Sequence, residues 1–235
     1  MKKEKNDLFD YKNRFIYQYD DAFKFSLDSI LLAEYVKIPP SAKLIVDFGT
    51  GNTPIPLILS TKSDIRIIGV ELQPKIYEVA KKSVAVNNLE KQIKIINDDI
   101  KNVLNYLEHE SVDIVVCNPP YFEQNTTLLN EKKHKRVARH ELECSLEMIF
   151  EKAKAILKNK GSLYLSHRIT RIDDIIILGR NHNLGVKEVV FIDTKDDLNP
   201  KMMLVRCVKG SKPGVKIKYK SIKNLKSYQN IFEEV

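Results

Sequence analysis

Several hallmarks of membrane, secreted and metal-binding proteins are absent from this sequence of 235 residues. No apolar run approaches the roughly 20 residues that a membrane-spanning helix needs, and the N-terminus, MKKEKNDLFDYKN, lacks the apolar core of a signal peptide. The three cysteines, Cys117, Cys144 and Cys207, are widely separated and form no CxxC pair, which argues against a zinc site or a disulfide framework. We therefore expect a cytoplasmic, metal-free and monomeric protein.

Positive charge is what the sequence has in excess. The net charge is +8 and the isoelectric point is about 9.2, which favours a polyanionic partner such as RNA or DNA. Lysine and isoleucine are abundant along the whole chain, so composition alone does not decide this. The length suits one domain. We expect residues 1–42 to form a covering extension, 43–210 a catalytic core and 211–235 a basic C-terminal segment.

Short apolar segments alternate with helical patterns along the chain. The predicted strands are 43–48, 66–71, 92–96, 112–117, 162–166, 187–192 and 202–208. The predicted helices are 54–61, 74–88, 100–109, 141–158 and 171–183. This alternation predicts a parallel, doubly wound sheet. Only about eight residues separate the last two strands, too few for a crossover helix, so these strands should form an antiparallel pair.

The expected fold class is therefore α/β: a Rossmann-like, mostly parallel seven-stranded sheet with a C-terminal antiparallel hairpin. This is the fold of class I methyltransferases that use S-adenosylmethionine (SAM). Ahead of the first strand, Ser26 or Asp28 should cap a helix over 29–37 that ends at Pro39-Pro40. An aromatic cluster precedes this helix and is expected to form a lid or a packing strap across the sheet. Its members are Tyr17, Tyr19, Phe23 and Phe25.

A glycine-containing loop follows the first predicted strand. Gly49 and Gly51 allow a sharp turn and a close approach to a ligand. Open α/β sheets bind ligands at this carboxyl edge. Glu71 ends the second strand, where an acid can hold both ribose hydroxyls of a nucleoside. These features are shared by NAD-dependent and SAM-dependent enzymes.

Three further features favour SAM. The third glycine of the dinucleotide pattern is missing, because the loop continues with Thr53 towards Pro54. Asp47 ends the first strand, where it can face a cationic methionine moiety. Asp98 and Asp99 end the third strand, where a side chain can accept a hydrogen bond from the adenine amine. The alternative for these two aspartates is a cap for the helix over 100–109.

The fourth strand ends in the segment Cys117–Phe122, CNPPYF. Neither proline has an N–H group, and each restricts the residue before it to an extended conformation. The loop therefore presents fixed acceptors beside the methyl donor, which suits a substrate –NH₂ group such as an adenine amine or a glutamine amide. Asn118 Oδ1 and the Pro119 carbonyl would accept the two amine protons and localise the nitrogen lone pair. Tyr121 would stack on the planar acceptor.

We do not assign Cys117 as a nucleophile for cytosine methylation, because no proline precedes a cysteine here. The catalytic candidates are therefore Asn118, Pro119, Pro120 and Tyr121. Asn118 is also expected to line the cofactor pocket.

Several segments together resemble the bacterial tRNA adenine-N6 methyltransferase family, which acts on the adenine adjacent to the valine-tRNA anticodon. They are DFGTGN, GVELQ, CNPPYF, VARHE and SHR, preceded by FKFSLDSILLAEY, and the likeness covers roughly residues 15–215. The resemblance implies SAM binding by Asp47, Gly49, Gly51, Glu71 and Asp99, catalysis by Asn118–Tyr121, and Asp28 at the methionine end of the pocket. Thr53-Pro54 departs from the family, whose members more often have glycine there.

Basic residues beyond the acceptor loop are the candidates for holding RNA beside a flipped-out adenine. The basic candidates are Lys132, Lys133, Lys135, Arg136, Arg139 and Arg168, and the aromatic Phe122 is a further candidate for contact with the RNA. A second basic cluster comprises Lys212, Lys216, Lys218, Lys220, Lys223 and Lys226. The alternative for such clusters is a solvated surface.

Other functions share parts of this pattern. One alternative is methylation of a release-factor glutamine, but those enzymes usually carry an N-terminal helical domain of some 70 residues, whereas about 42 precede the first strand here. A DNA adenine methyltransferase would carry a large target-recognition domain. A non-catalytic RNA-binding module would not need Glu71 and NPPY. A dehydrogenase does not fit the glycine spacing.

Overall fold

The computed structural model describes residues 3–8, 11, 14–19, 26–119, 145–195, 198–223 and 231–232. The strands are β1 (Lys3–Asp7), β2 (Phe15–Tyr19), β3 (Leu44–Phe48), β4 (Arg66–Glu71), β5 (Ile93–Asn97), β6 (Val112–Cys117), β7 (Leu157–Arg168), β8 (Leu184–Asp193), β9 (Met202–Lys209) and β10 (Lys216–Ser221). The α-helices are α1 (Leu27–Tyr35), α2 (Pro54–Lys62), α3 (Pro74–Val86), α4 (Leu146–Ile156) and α5 (Ile172–Asn181). Two 3-10 helices span Ile100–Asn105 and Ile169–Arg171.

Eight strands form the main sheet in the order β10-β8-β9-β7-β6-β3-β4-β5. All neighbouring pairs are parallel except the two that involve β9, which runs antiparallel to both β7 and β8. The predicted mostly parallel sheet and its antiparallel hairpin are therefore confirmed. The carboxyl ends of all strands except β9 lie at one edge of the sheet, which is where ligands bind in open α/β sheets.

The predicted number of strands in this sheet is wrong. β10 lies inside the stretch that the sequence indicated only as a basic C-terminal segment, and it pairs in parallel with β8. Its sequence, KIKYKS, alternates lysine with Ile217 and Tyr219, so its mean hydropathy is low although its period of two is that of an edge strand. A separate two-stranded sheet, β1-β2, also lacked a prediction.

The helix predictions are confirmed with shifted ends, with one exception. The segment predicted as a helix over 100–109 is a 3-10 helix of six residues, Ile100–Asn105. A 3-10 helix commonly serves as a short connector, here between β5 and β6. The helix predicted over 29–37 begins at Leu27 and ends at Tyr35, because the chain becomes extended ahead of Pro39-Pro40. None of the described helices is long and apolar enough to cross a membrane.

Apolar side chains cover both faces of the sheet, because successive strand residues point to opposite sides. Ile45 of β3 faces the layer that contains α1 and α2, and it packs in one cluster with Ile30 and Leu57. Val46, the next residue, faces the opposite layer and clusters with Phe150 of α4. Burial on both faces explains the near-continuous apolar strands and holds their carboxyl ends in fixed register.

The N-terminal hairpin lies along α3. Asn87, just after α3, accepts a hydrogen bond from Phe15 N at 2.9 Å and donates one to Phe15 O at 2.7 Å. Tyr17 N donates to Ser83 Oγ at 3.0 Å, and Ile16 is fully buried. The strap expected from the aromatic cluster is therefore, in its described part, strand β2 bonded to α3; Phe23 and Phe25 lie outside the described residues.

Candidate active site

The register of the central strands brings the predicted cofactor and acceptor residues together. Phe48, the last residue of β3, is paired with Cys117, the last residue of β6. The glycine loop and Asn118 therefore leave the sheet side by side at its carboxyl edge. Glu71 ends β4 on the other side of β3. The sheet thus places Asp47, Gly49, Gly51, Glu71 and Asn118 in adjacent positions.

The glycine loop takes the backbone through two left-handed residues, Gly49 at φ 68° and Gly51 at φ 58°. A Cβ atom added at either position would point into open space, with no atom within 4 Å. A third left-handed residue, Thr53, precedes α2 with φ 73° and is fully buried. Glycine reaches this conformation without the Cβ penalty, which explains why a glycine would suit the position where this sequence departs from the family.

Asp47 is buried, with 1% of its surface exposed. Its Oδ2 accepts a hydrogen bond from Thr50 Oγ1 at 2.6 Å, whereas its Oδ1 has no hydrogen-bond partner among the described residues. Burial raises the pKa of this carboxyl to about 7; the Thr50 hydroxyl opposes the rise and nearby Glu71 adds to it. An acceptor atom without a partner, next to an open glycine loop, fits the cationic methionine portion of SAM.

The Glu71 carboxylate is held by two backbone donors. Gly51 N donates to Oε2 and Gln73 N donates to Oε1, both at 2.9 Å. Asn97, at the end of β5, donates to the Glu71 carbonyl at 2.8 Å. Each carboxylate oxygen can accept more than one hydrogen bond. Glu71 is therefore oriented by the loop on one side and can accept ribose hydroxyls with the same oxygens.

Asp98 and Asp99 bind the 3-10 helix that follows them. Asp99 Oδ1 accepts from Lys101 N at 3.0 Å and Oδ2 pairs with Lys101 Nζ at 2.9 Å. Asp98 accepts from Tyr106 Oη at 2.6 Å and Asn102 Nδ2 at 2.8 Å, and these bonds lower its pKa. The capping role that the sequence left open is thus present for Asp99. A bond to the adenine amine remains a prediction for both residues.

The Asn118 side chain is held from two directions. Its Oδ1 accepts a hydrogen bond from Ser166 Oγ of β7 at 2.5 Å. Its Nδ2 donates to Ser29 Oγ of α1 at 2.9 Å and lies 3.4 Å from Ser26 Oγ. Pro119, the next residue, is buried. Sequence analysis missed Ser29, Ser166 and the Thr50–Asp47 bond, although each serine lies in a segment that carries the family resemblance.

The carboxyl end of β7 brings further polar groups to this edge. Burial raises the pKa of Asp28, in the first turn of α1, while Arg168 opposes the rise; the two predicted site residues are therefore electrostatic neighbours. Burial, together with Arg171 and Arg168, lowers the pKa of His167 to about 4, and its Nδ1 accepts from Arg168 N at 2.9 Å. His167 is therefore neutral at physiological pH.

Several predicted residues lie outside the described part of the chain. They are Pro120, Tyr121, Phe122, Lys132, Lys133, Lys135, Arg136 and Arg139, together with Lys226 of the second basic cluster. Among the described residues, no group of three or more His, Cys, Asp or Glu side chains is arranged to hold a metal ion.

The sequence is similar to curated tRNA methyltransferases. It is 24% identical over 200 residues to the tRNA1(Val) (adenine(37)-N6)-methyltransferase of Phocaeicola vulgatus, covering 85% of this chain and 83% of the relative. It is 27% identical over 203 residues to the enzyme of the same name from Actinobacillus pleuropneumoniae, covering 86% and 83%. These relatives confirm the resemblance noted from the sequence.

Solved structures confirm the fold. A protein from Agrobacterium tumefaciens described as a predicted O-methyltransferase superposes with a TM-score of 0.62 at 21% identity, covering 83% of this chain and 86% of its own. P. horikoshii TYW2, in complex with MeSAdo, superposes with a TM-score of 0.58 at 13% identity, covering 85% and 69%. The model of one family, the methyltransferase small domain, matches residues 24–170, more than half of the chain. The protein therefore belongs to the methyltransferase small domain family.

Proposed function

We propose that this protein methylates the exocyclic N6 amine of an adenine in tRNA, next to the anticodon of a valine tRNA. The observation that carries the proposal is the placement of Asn118-Pro119 at the end of β6, beside the Asp47 loop of β3. The similarity to two tRNA1(Val) (adenine(37)-N6)-methyltransferases supports the choice of substrate.

The cofactor is S-adenosylmethionine, which supplies an electrophilic methyl group. Asp47 would face its cationic methionine portion, with Asp28 at the same end of the pocket. Gly49 and Gly51 leave open space beside the loop. Glu71 would accept the ribose hydroxyls. The position of Asp47, Gly49, Gly51 and Glu71 at the carboxyl edge of the sheet supports these assignments.

Asn118 and Pro119 would act on the adenine amine. The lone pair of this nitrogen is delocalised into the ring, which makes it a poor nucleophile. Two acceptors, Asn118 Oδ1 and the Pro119 carbonyl, would bind both amine protons and favour a tetrahedral nitrogen with a localised lone pair. The proton can leave after methyl transfer, so no strong base is needed. Positioning can supply much of the rate, because effective molarities reach about 10⁵ M or more.

The substrate would be held by groups around this acceptor pair. Tyr121 and Phe122 would stack on the base, worth roughly 1–3 kcal/mol per base, and Arg168 with the basic residues of 132–139 would contact phosphates. Each phosphate contact adds about −0.7 to −0.9 to the slope of log affinity against log salt. A flat salt response would contradict RNA binding through these residues.

Mass spectrometry of nucleosides tests the function directly. The purified protein, SAM and unmodified tRNA should yield 6-methyladenosine in a valine tRNA. If 6-methyladenosine does not increase in any tRNA, the proposal is wrong. Methylation of a release-factor glutamine in a parallel reaction would favour the alternative acceptor, and failure to bind SAM in calorimetry would favour a non-catalytic module.

Substitution of Asn118 tests the mechanism. Asn118→Ala should bind SAM as the wild type does but lower kcat by about 10²-fold or more, because one of the two acceptors for the amine protons is lost. Asn181→Ala is the control, since Asn181 is exposed at the end of α5. If Asn118→Ala keeps the wild-type kcat, Asn118 does not polarise the amine.

We also propose that the protein acts in the cytoplasm as a metal-free monomer, with residues 1–42 covering a core that begins at residue 43 and includes β10. Light scattering coupled to gel filtration would test the monomer, and activity in the presence of a chelator would test the absence of a required metal.

A further inference from the structure

The amide of Asn118 contacts hydroxyl groups from two separate elements of the fold. Ser166 belongs to β7, and Ser26 and Ser29 belong to the start of α1. Ser166 is fully buried and Ser29 is 6% exposed, whereas Ser26 is exposed. The contacts to Ser166 and Ser29 are therefore partly shielded from water, which strengthens hydrogen bonds and makes unpaired groups costly. The position of the Asn118 amide therefore depends on residues outside the NPPY segment.

The backbone explains why Ser166 reaches Asn118. Cys117 and Leu165 are paired across β6 and β7, so the next residues along the two parallel strands are Asn118 and Ser166. Both strands lie inside the sheet. A side chain that is anchored on a central strand holds its partner more precisely than one on a loop.

The two ends of the Asn118 amide face different serines. The carbonyl oxygen Oδ1 faces Ser166 and accepts a hydrogen bond from its Oγ. The 2.9 Å separation from Ser29 Oγ is typical of an N–H···O bond. The serine hydroxyls therefore hold the Asn118 amide from both sides, with Oδ1 as the acceptor and Nδ2 as the donor.

We propose that Ser166 is a positioning residue for methyl transfer, which orients Asn118 Oδ1 toward the acceptor amine. A carbonyl oxygen can accept two hydrogen bonds, so the bond from Ser166 is compatible with a second one from the amine. Rotating the amide by half a turn would present an NH₂ group to the substrate NH₂, and two donors cannot pair. Ser29 strengthens the same orientation by binding Nδ2. This inference rests on the proposed function and deepens it.

Ser166→Ala should lower kcat by about 10- to 100-fold, in keeping with the cost of misplacing a reacting group. KM for tRNA and the affinity for SAM should stay within about twofold, because the bond acts on orientation and not on ground-state binding. Ser60→Ala is the matched control. Ser60 is a buried serine of α2 whose hydroxyl donates to Leu57 O, and its removal should leave kcat unchanged.

A spectroscopic measurement tests the contact without any substrate. The side-chain NH₂ resonance of Asn118, assigned by its loss in Asn118→Ala, should shift in Ser166→Ala and in Ser29→Ala but not in Ser60→Ala. Ser29→Ala changes a different element, so the test does not depend on the stability of one variant.

The outcomes separate this inference from the proposed function. A wild-type protein that methylates no tRNA contradicts the proposed function, and a shifted Asn118 resonance would still support the orientation of the amide by Ser166. An active wild type with unchanged kcat in Ser166→Ala overturns the positioning role. So does a change in KM alone, or an Asn118 resonance that does not move in either serine variant.

Discussion

Replacing Asp47 by asparagine should stabilise the protein at pH 8 while weakening its binding of SAM. Asp47 is buried and its pKa is raised to about 7, whereas the unfolded chain ionises near the ordinary value of 3.8. Between these values the folded state binds more protons than the unfolded state, so stability falls as pH rises from 3.8 to 7. The destabilisation of the folded state by the ionised Asp47 therefore reaches its full value above pH 7 and is absent below pH 3.8.

The difference between the folded and unfolded pKa values of Asp47 means that its ionisation destabilises the folded state by about 4 kcal/mol at pH 8. Asparagine has no carboxyl to ionise, so it removes this destabilisation, and its oxygen can still accept the hydrogen bond from Thr50 Oγ1. Its NH₂ group, however, takes the position of Asp47 Oδ1, which has no partner among the described residues. An unpaired buried donor costs about 1–3 kcal/mol. We therefore expect the free energy of unfolding of Asp47→Asn to exceed that of the wild type by about 1–3 kcal/mol at pH 8. At pH 5 this difference in the free energy of unfolding should be about 3 kcal/mol smaller than at pH 8, because the Asp47 carboxyl of the folded wild type is then protonated.

Urea denaturation at pH 5 and pH 8 without SAM measures both values. Asp64→Asn is the control, because Asp64 is exposed between α2 and β4, and its stability relative to the wild type should change little between the two pH values. An Asp47→Asn difference that is equal at pH 5 and pH 8 would refute the burial argument. Calorimetry should show at least tenfold weaker SAM binding by Asp47→Asn; affinity within threefold of the wild type would contradict the role of Asp47 toward a cation.

Two further substitutions test the contacts that support the cofactor loop and the N-terminal hairpin. In Gly69→Ala the new Cβ would lie 2.8 Å from Thr50 Oγ1. We expect this clash to destabilise the protein by about 1–3 kcal/mol and to weaken SAM binding, because Thr50 must move away from Asp47. Unchanged stability and SAM affinity would contradict this expectation. Asn87→Ala removes both hydrogen bonds to the Phe15 backbone. A protease should therefore cleave the N-terminal hairpin of this variant faster than that of the wild type. An equal cleavage rate would show that other contacts hold β2.

The sheet and its ligand edge follow from local sequence patterns. β3 and β6 have near-continuous apolar sequences, LIVDF and VDIVVC, because both of their faces are buried, and this predicts parallel central strands. Polar residues at the ends of such strands must then meet at one edge. Residues 216–221 escaped prediction, since edge strands carry lysines that lower their mean hydropathy. The apolar pattern of residues 100–109 does not distinguish an α-helix from a short 3-10 helix, so the 3-10 form of Ile100–Asn105 was not predicted.

The sequence by itself determined the fold class, the glycine loop and the acceptor loop, because these depend on the periodicity of apolar residues and on the backbone chemistry of glycine and proline. Only the tertiary structure decided how the Asn118 amide is oriented. Ser29 and Ser166 are 89 and 48 residues away from it along the chain, and hydrogen bonds over such separations depend on strand register and helix placement. The same holds for Asp47, whose pKa is set by burial that becomes definite only when the sheet is assembled.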